Sequence, residues 1–224
     1  MAYEERHELA HDWVVHDPDS TIARWRRRVV FVRNFFKHPR MVGSFLQSSS
    51  HLVARIAQEI DFAAARTIVE YGPGVGTITT ELLRRMPMNA SLLAIESNTE
   101  FTELLAEAIP DHRFQLAHGG AHQVLEFMAA RGMRHADVVV SGIPFSTMDP
   151  ALRGEILRST WRALAPHGVF LVYQYSRRVL PELRRVFDGV EARVDWRNGV
   201  PMQIFRCEKS PPGGRVVVLP MFRA

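Results

Sequence analysis

The chain of 224 residues is short of several things that proteins of particular classes need. It has one cysteine, Cys207, which excludes an intramolecular disulfide and any zinc cage built from cysteines. No stretch approaches the roughly 18 consecutive apolar residues of a membrane-spanning helix, so the sequence predicts a protein that can lie on a membrane without crossing it. The opening segment, MAYEERHELAHDW, is polar and acidic and does not have the pattern of a secretory signal. Lysine is nearly missing: Lys37 and Lys209 are the only two, and arginine supplies the rest of the 28 basic residues. The hydrophobic share of 46% and charged share of 23% are those of an ordinary globular chain, which argues against disorder throughout. These features together fit a protein of a reducing, cytoplasmic compartment.

The net charge is only +4, but arginines crowd an early segment at Arg24, Arg26, Arg27, Arg28 and Arg33. Such a cluster suits an anionic partner, phospholipid headgroups or nucleic acid, or else forms the solvated side of a helix. The same segment carries Ile22, Trp25, Val29, Val32 and Phe36 at three- and four-residue steps, one face of a helix capped by Ser20 or Thr21 and stopped before Pro39. A second helix is expected from about Ser50 to Ile60, with Leu52, Ile56 and Ile60 inward.

From there the pattern alternates. Apolar, β-branched runs at Thr67–Tyr71, Ser91–Glu96, Arg113–Ala117, Ala136–Ser141 and Val169–Gln174 read as buried strands. Helical patterns at 77–86, 99–109, 121–131 and 151–165 lie between them, and a further helix at about 179–187 precedes the strands Val190–Trp196 and Met202–Cys207. This alternation predicts an α/β fold: a Rossmann-like, seven-stranded, mostly parallel sheet with helices on both faces and an antiparallel C-terminal hairpin. The expected organisation is an N-terminal arm and amphipathic helix at 1–49, a ligand-binding domain at 50–209 and a tail at 210–224.

Glu70-Tyr71-Gly72-Pro73-Gly74-Val75-Gly76-Thr77 reads as strand end, glycine-rich turn and helix start. Glycines there allow the backbone to turn tightly and approach a ligand closely. The second strand ends at Glu96, followed by Ser97, where nucleotide-binding α/β folds place an acid against the ribose hydroxyls. This pair fits either a nicotinamide dinucleotide or another nucleoside cofactor.

With Glu70 before the turn, the strand count and the final hairpin, the chain resembles the class I methyltransferases dependent on S-adenosylmethionine (SAM). The resemblance implies SAM as methyl donor and S-adenosylhomocysteine (SAH) as product, with no metal. It places Glu70 toward the methionine ammonium, Tyr71, Gly72, Gly74, Gly76 and Thr77 beneath the cofactor, and Glu96 and Ser97 at the ribose. Gly120 and Ala121 stand at the adenine, Gly120 where the family carries an aspartate; backbone groups or His122 are the substitutes expected.

Ser141-Gly142-Ile143-Pro144-Phe145 occupies the loop where nucleic-acid amino methyltransferases carry Asn/Asp-Pro-Pro-Tyr/Phe. Together with Lys37-His38-Pro39-Arg40…Val42-Gly43…Gln47-Ser48-Ser49, it resembles the bacterial phospholipid N-methyltransferases, which convert phosphatidylethanolamine towards phosphatidylcholine and are distantly similar to the rRNA adenine dimethylases. The resemblance implies that Gln47, Ser48 and Ser49 contact the cofactor with Ser141, Gly142 and Ile143. Tyr173 and Phe145 are expected at the amine, and Lys37, Arg40, Pro144 and Arg177 at the lipid. The expected partners are a phospholipid and an anionic membrane surface, with peripheral attachment and no nucleic acid. Three alternatives stay open: methylation of rRNA adenine, methylation of a small soluble amine, and a SAM-binding adaptor without activity.

Overall fold

The computed structural model describes residues 50–196 and 201–210. The early arginine-rich segment, the Lys37–Ser49 motif and the tail lie outside the described residues.

The described chain runs α1 (Ser50–Gln58), β1 (Thr67–Tyr71), α2 (Thr77–Arg85), β2 (Ser91–Glu96), α3 (Thr99–Ala108) and β3 (Phe114–His118). It continues with α4 (Val124–Ala129), β4 (Ala136–Ser141), α5 (Pro150–Ala163), β5 (Leu164–Gln174), α6 (Leu180–Val186), β6 (Gly189–Asp195) and β7 (Met202–Glu208). The sheet order is β3-β2-β1-β4-β5-β7-β6; the first five strands are parallel, and β7 runs antiparallel to both neighbours.

Alternation along each strand sorts the core into two faces. Val69, Val139, Phe170, Val172 and Phe205 meet α4, α5 and α6 on the first face. Ile68, Val138, Val140, Leu171 and Ile204 meet α1 and α2 on the second. Strands buried from both sides must be apolar at nearly every position, which is why the runs were readable in sequence. Leu52 and Ile56 of α1 and Ile60 just after it are all buried.

Three of the differences from expectation bear on how the fold is built. The pattern at 121–131 is a single 3-10 turn, Ala121–Gln123, followed by the short α4. Strand β5 begins at Leu164, not Val169, because Leu164 pairs with Ala136 before a register shift toward Val138. Strand β3 begins after Arg113, whose side chain is occupied elsewhere. Arg113 is buried and donates to the carbonyls of Leu83 and Met86 at the C-terminal end of α2, at 2.8 and 2.7 Å. Those carbonyls have no helical donor, so a guanidinium supplies one. Asp111 pairs with Arg113 at 2.6 Å, and these bonds hold the Asp111 carboxyl down at about 2.

β1 sits between β2 and β4. The chain therefore winds outward in one direction through β3 and then returns to continue on the other side of β1. Connections leave the sheet in opposite directions at that point, opening a crevice at the carboxyl ends of β1 and β4. Strand β6 is parallel to β5, so its C-terminal end belongs to the same edge.

Replacing Arg113 with methionine keeps bulk but strands two helix-end carbonyls and Asp111. A loss of about 2 kcal/mol is expected from the missing charged hydrogen bonds. Denaturant unfolding measures it; a change under about 0.5 kcal/mol would show that water satisfies these groups unaided.

Candidate active site

The turn after β1 has a left-handed backbone at each of its glycines: φ is 66° at Gly72, 57° at Gly74 and 81° at Gly76. Gly76 is also spatially restricted, because a Cβ there would lie 2.8 Å from Leu105 Cδ2. A side chain at 76 would be strained by both backbone and packing. Gly72 donates to the Ile95 carbonyl at 2.9 Å, docking the turn onto the neighbouring strand.

Glu96 fastens the same turn from the other side. Its carboxylate accepts from the Gly74 amide at 3.1 Å and the Asn98 amide at 2.9 Å. Asn98 then caps α3, its side chain accepting from the amides of Glu100 and Phe101. Each carboxylate oxygen has a second acceptor position, so Glu96 can hold the turn and still receive ribose hydroxyls.

A cavity of about 420 Å³ opens over this edge, lined by Gly72, Glu96, Ser97, Gly120, Ile143 and Pro144 among others. Its lining is mostly apolar with a few converging polar groups, as a nucleoside site requires. Phe101, Met148, Leu152 and Ile156 also contribute walls that the sequence reading missed. The last three come from the 142–149 loop and the start of α5, whose apolar residues read equally well as core.

Gly120 carries a specific constraint. A Cβ at 120 would fall 2.4 Å from His122 Cε1, so the imidazole lies over the position where related sites carry an aspartate. The glycine and the histidine are one arrangement: the small residue makes room for the ring. His122 also lines the cavity.

Glu70 is fully enclosed. One carboxylate oxygen accepts from Thr79 Oγ1 at 2.7 Å; the other has no partner among the described residues. Burial raises its carboxyl from 4.5 to about 7, against the Thr79 bond, which lowers it, with the charge of Glu96 adding to the rise. An unsatisfied carboxylate oxygen at the base of the glycine turn fits a cationic ligand group such as the methionine ammonium. Thr79, nine residues on, had no marker in the sequence.

Gly142 and Tyr173 are likewise matched. A Cβ at 142 would lie 2.2 Å from the Tyr173 hydroxyl, so the phenol rests directly on the loop after β4. Burial, and then the charge of Glu70, push the Tyr173 phenol well above its ordinary value. It stays protonated and can donate a hydrogen bond, but it cannot serve as a base. The Ser141 hydroxyl, just before, is buried and has no partner among the described residues.

Two expected side chains lie elsewhere. Phe145 is fully buried, edge-on to Phe170 with centroids 6.2 Å apart, so its ring builds the core beneath the loop and does not meet a substrate amine. The Tyr71 side chain is also core, its hydroxyl 3.1 Å from Thr160 Oγ1; only its backbone belongs to the turn. Thr77 opens α2, Ala121 lines the cavity, and Arg177 is exposed after β5. Lys37, Arg40, Gln47, Ser48 and Ser49 lie outside the described residues.

The Glu70 carboxyl titrates higher folded than unfolded, so it binds its proton more tightly in the fold. Without ligand, its contribution to stability is complete below about 4.5 and is lost as pH rises through about 7. Glu70→Gln is therefore expected to raise the melting temperature of the ligand-free protein at pH 8. The same change should weaken SAH binding about tenfold or more and abolish the proton release that accompanies binding near pH 7. Calorimetry in two buffers of different ionisation enthalpy reads the proton count; equal counts in wild type and variant would take Glu70 out of the ligand site.

Residues 34–137 match the family described as ribosomal RNA adenine dimethylase. An ornithine lipid N-methyltransferase of Singulisphaera acidiphila is 29% identical over 184 residues, covering 80% of this chain and 94% of that protein. Ribosomal RNA small subunit methyltransferase A of Caulobacter vibrioides is 38% identical over 96 residues, 42% of this chain; the chain spans only 34% of that protein's length. Among solved structures, human methyltransferase-like protein 13 in complex with SAH superimposes with a TM-score of 0.58 at 16% identity, covering 77% of this chain and 86% of that one. The sheet order, the glycine turn clasped by Glu96 and these likenesses agree, and the chain is a class I SAM-dependent methyltransferase.

Proposed function

We propose that the chain is a lipid N-methyltransferase that transfers methyl groups from SAM to the amine headgroup of a membrane lipid, phosphatidylethanolamine and its methylated forms or an ornithine lipid. The observation that carries this reading is the extent of the likeness to the Singulisphaera enzyme, which runs through 94% of that protein. The likeness to the Caulobacter RNA enzyme takes in 42% of this chain and 34% of that protein.

A surface feature supports the lipid reading. Val194 and Trp196 stand at the carboxyl end of β6, on the edge that holds the cavity, and are 38% and 71% exposed. An exposed tryptophan at such an edge suits the boundary between headgroups and acyl chains. The arginine-rich helix expected at residues 20–38 would add attraction to anionic lipid, about 1 kcal/mol per residue near the surface.

When bound, SAM supplies an electrophilic methyl on a sulfonium. This chain's residues have three tasks: to seat the cofactor, exclude water and present an unprotonated amine in line. The glycine turn and Glu96 seat it, Glu70 faces its ammonium, and Ile143, Pro144 and Met148 wall the cavity against water. Tyr173, protonated and beside Gly142, donates a hydrogen bond at the reacting edge and fixes the Ser141–Ile143 loop.

The ribosomal RNA family match keeps adenine methylation as the second reading. Purified protein with labelled SAM is expected to label extracted bacterial lipid and to leave small ribosomal subunits unlabelled; the reverse result would replace the lipid reading with the RNA one. Sedimentation with anionic vesicles is expected to carry the protein down, and with zwitterionic vesicles much less. For Tyr173→Phe, turnover should fall about tenfold at unchanged SAH affinity, as loss of one buried donor implies. Unchanged turnover removes Tyr173 from the chemistry.

A further inference from the structure

We infer that Gln174 of β5 and Gln203 of β7 form the acceptor for the substrate's amine; this rests on the lipid reading above and identifies the part of the site that takes the headgroup. The two residues are paired directly across the antiparallel β5–β7 ladder. Gln174 alternates with Val172 and Phe170, and Gln203 with Phe205 and Cys207, so both belong to the first face of the sheet. Both are more than nine-tenths buried. The Gln174 amide nitrogen donates to the Ser176 carbonyl at 2.5 Å, which sets the orientation of that side chain. The Oε1 atoms of both glutamines accept nothing among the described residues. The Ser141 hydroxyl, on the same face of β4 in register with Val172, is unpartnered too.

Three orphaned polar groups thus lie on adjacent strands at the carboxyl edge, where the loop beginning at Gly142 leads into the cofactor cavity. Native interiors leave few acceptors unmatched, so a cluster at a site edge points to a ligand that brings donors. Along the row, Val194 pairs with Gln203 and is followed by the exposed Trp196, which gives apolar surface to the rest of a lipid.

The chemistry of the pair suits methyl transfer. A carboxylate would favour the protonated ammonium, which has no lone pair. Amide carbonyls accept N–H groups without that preference. An unprotonated primary amine has two N–H bonds, one for each carbonyl, leaving its lone pair toward the methyl carbon. The N–C bond forms as the S–C bond of the sulfonium breaks, its electrons staying on sulfur. One proton then passes from the product ammonium to water.

Each methyl added removes one N–H donor. A primary amine fills both carbonyls, a monomethylated amine fills one and a dimethylated amine none. The site therefore favours early methylations, by about tenfold for each donor lost.

The full-length protein is assayed with phosphatidylethanolamine, its N-methyl and N,N-dimethyl forms, and separately with ornithine lipid, each in mixed micelles. In the wild type, kcat/KM is expected to fall about a hundredfold from the unmethylated to the dimethylated lipid, a factor of about ten for each of two donors lost; comparison of the two unmethylated lipids identifies which headgroup is used. Gln174→Met and Gln203→Met retain volume and remove the acceptor. Each should lower kcat/KM for the unmethylated lipid about tenfold, leave the dimethylated lipid within about threefold, and leave SAH affinity unchanged by calorimetry. Equal rates on all three forms, or variants that bind SAH and keep the preference, overturn the inference. Where a variant loses SAH binding, the wild-type series alone decides. If wild type binds SAH but methylates no lipid, the lipid reading falls and the amine site falls with it; if it methylates lipids without preference, only the amine site falls.

Discussion

The Glu96 carboxylate is the joint on which the site depends. It accepts from the Gly74 amide in the turn after β1 and from the Asn98 amide at the head of α3. Two connections that leave neighbouring strands are thereby held by one side chain. The turn has three left-handed residues, and Glu96 adds a polar anchor to the packing of Val75 against Phe101 and Leu104. A carboxylate bonded to two amides is a strong anchor because charge-assisted bonds exceed neutral ones. Glu96 also lines the cavity, so the group that shapes the cradle is part of its wall.

Around that joint, small residues are placed by larger ones. Gly76 leaves space for Leu105, Gly120 for the His122 ring and Gly142 for the Tyr173 phenol. In each case a Cβ would meet the neighbouring side chain at under 3 Å, so the pair behaves as one unit. The Gly142–Tyr173 pair links the loop after β4 to the end of β5 and brings the phenol near Glu70, whose charge contributes to keeping it protonated. Polar atoms without partners among the described residues gather at the carboxyl edge of the sheet, one oxygen each of Glu70, Ser141, Gln174 and Gln203. Elsewhere among the described residues polar groups are matched, as with buried Arg113 at the end of α2 and half-buried Asp137, which accepts from the Arg66 and Thr67 amides. Their unequal distribution is what distinguishes a site from a scaffold.

The two classes of relative share the donor half of this molecule. Residues 34–137, matched to the RNA dimethylase family, contain the glycine turn, Glu96 and the adenine wall. The likeness to the lipid enzyme of Singulisphaera is longer, 184 residues and 80% of this chain, and likeness over the cofactor-binding stretch alone says little about the substrate.

What the sequence determined by itself was the scaffold and the cofactor seat. Strands buried on both faces must be apolar throughout, and a tight turn against a ligand must be glycine, so both leave marks in one dimension. Strands β1, β2 and β4 were legible to the residue, as was the glycine turn between β1 and α2. Only the tertiary structure decided which side chains near the cavity are core and which polar groups lie together. Phe145 and Tyr71 looked like ligand contacts and proved to be core, because a phenylalanine or tyrosine at a strand end reads the same whether it points outward or inward. Thr79 beneath Glu70, His122 over Gly120, and Gln174 opposite Gln203 acquire meaning only when residues distant in sequence, or on opposite sides of a turn, are brought within a few ångströms. Periodicity records which face a residue occupies; it carries no record of what lies across from it.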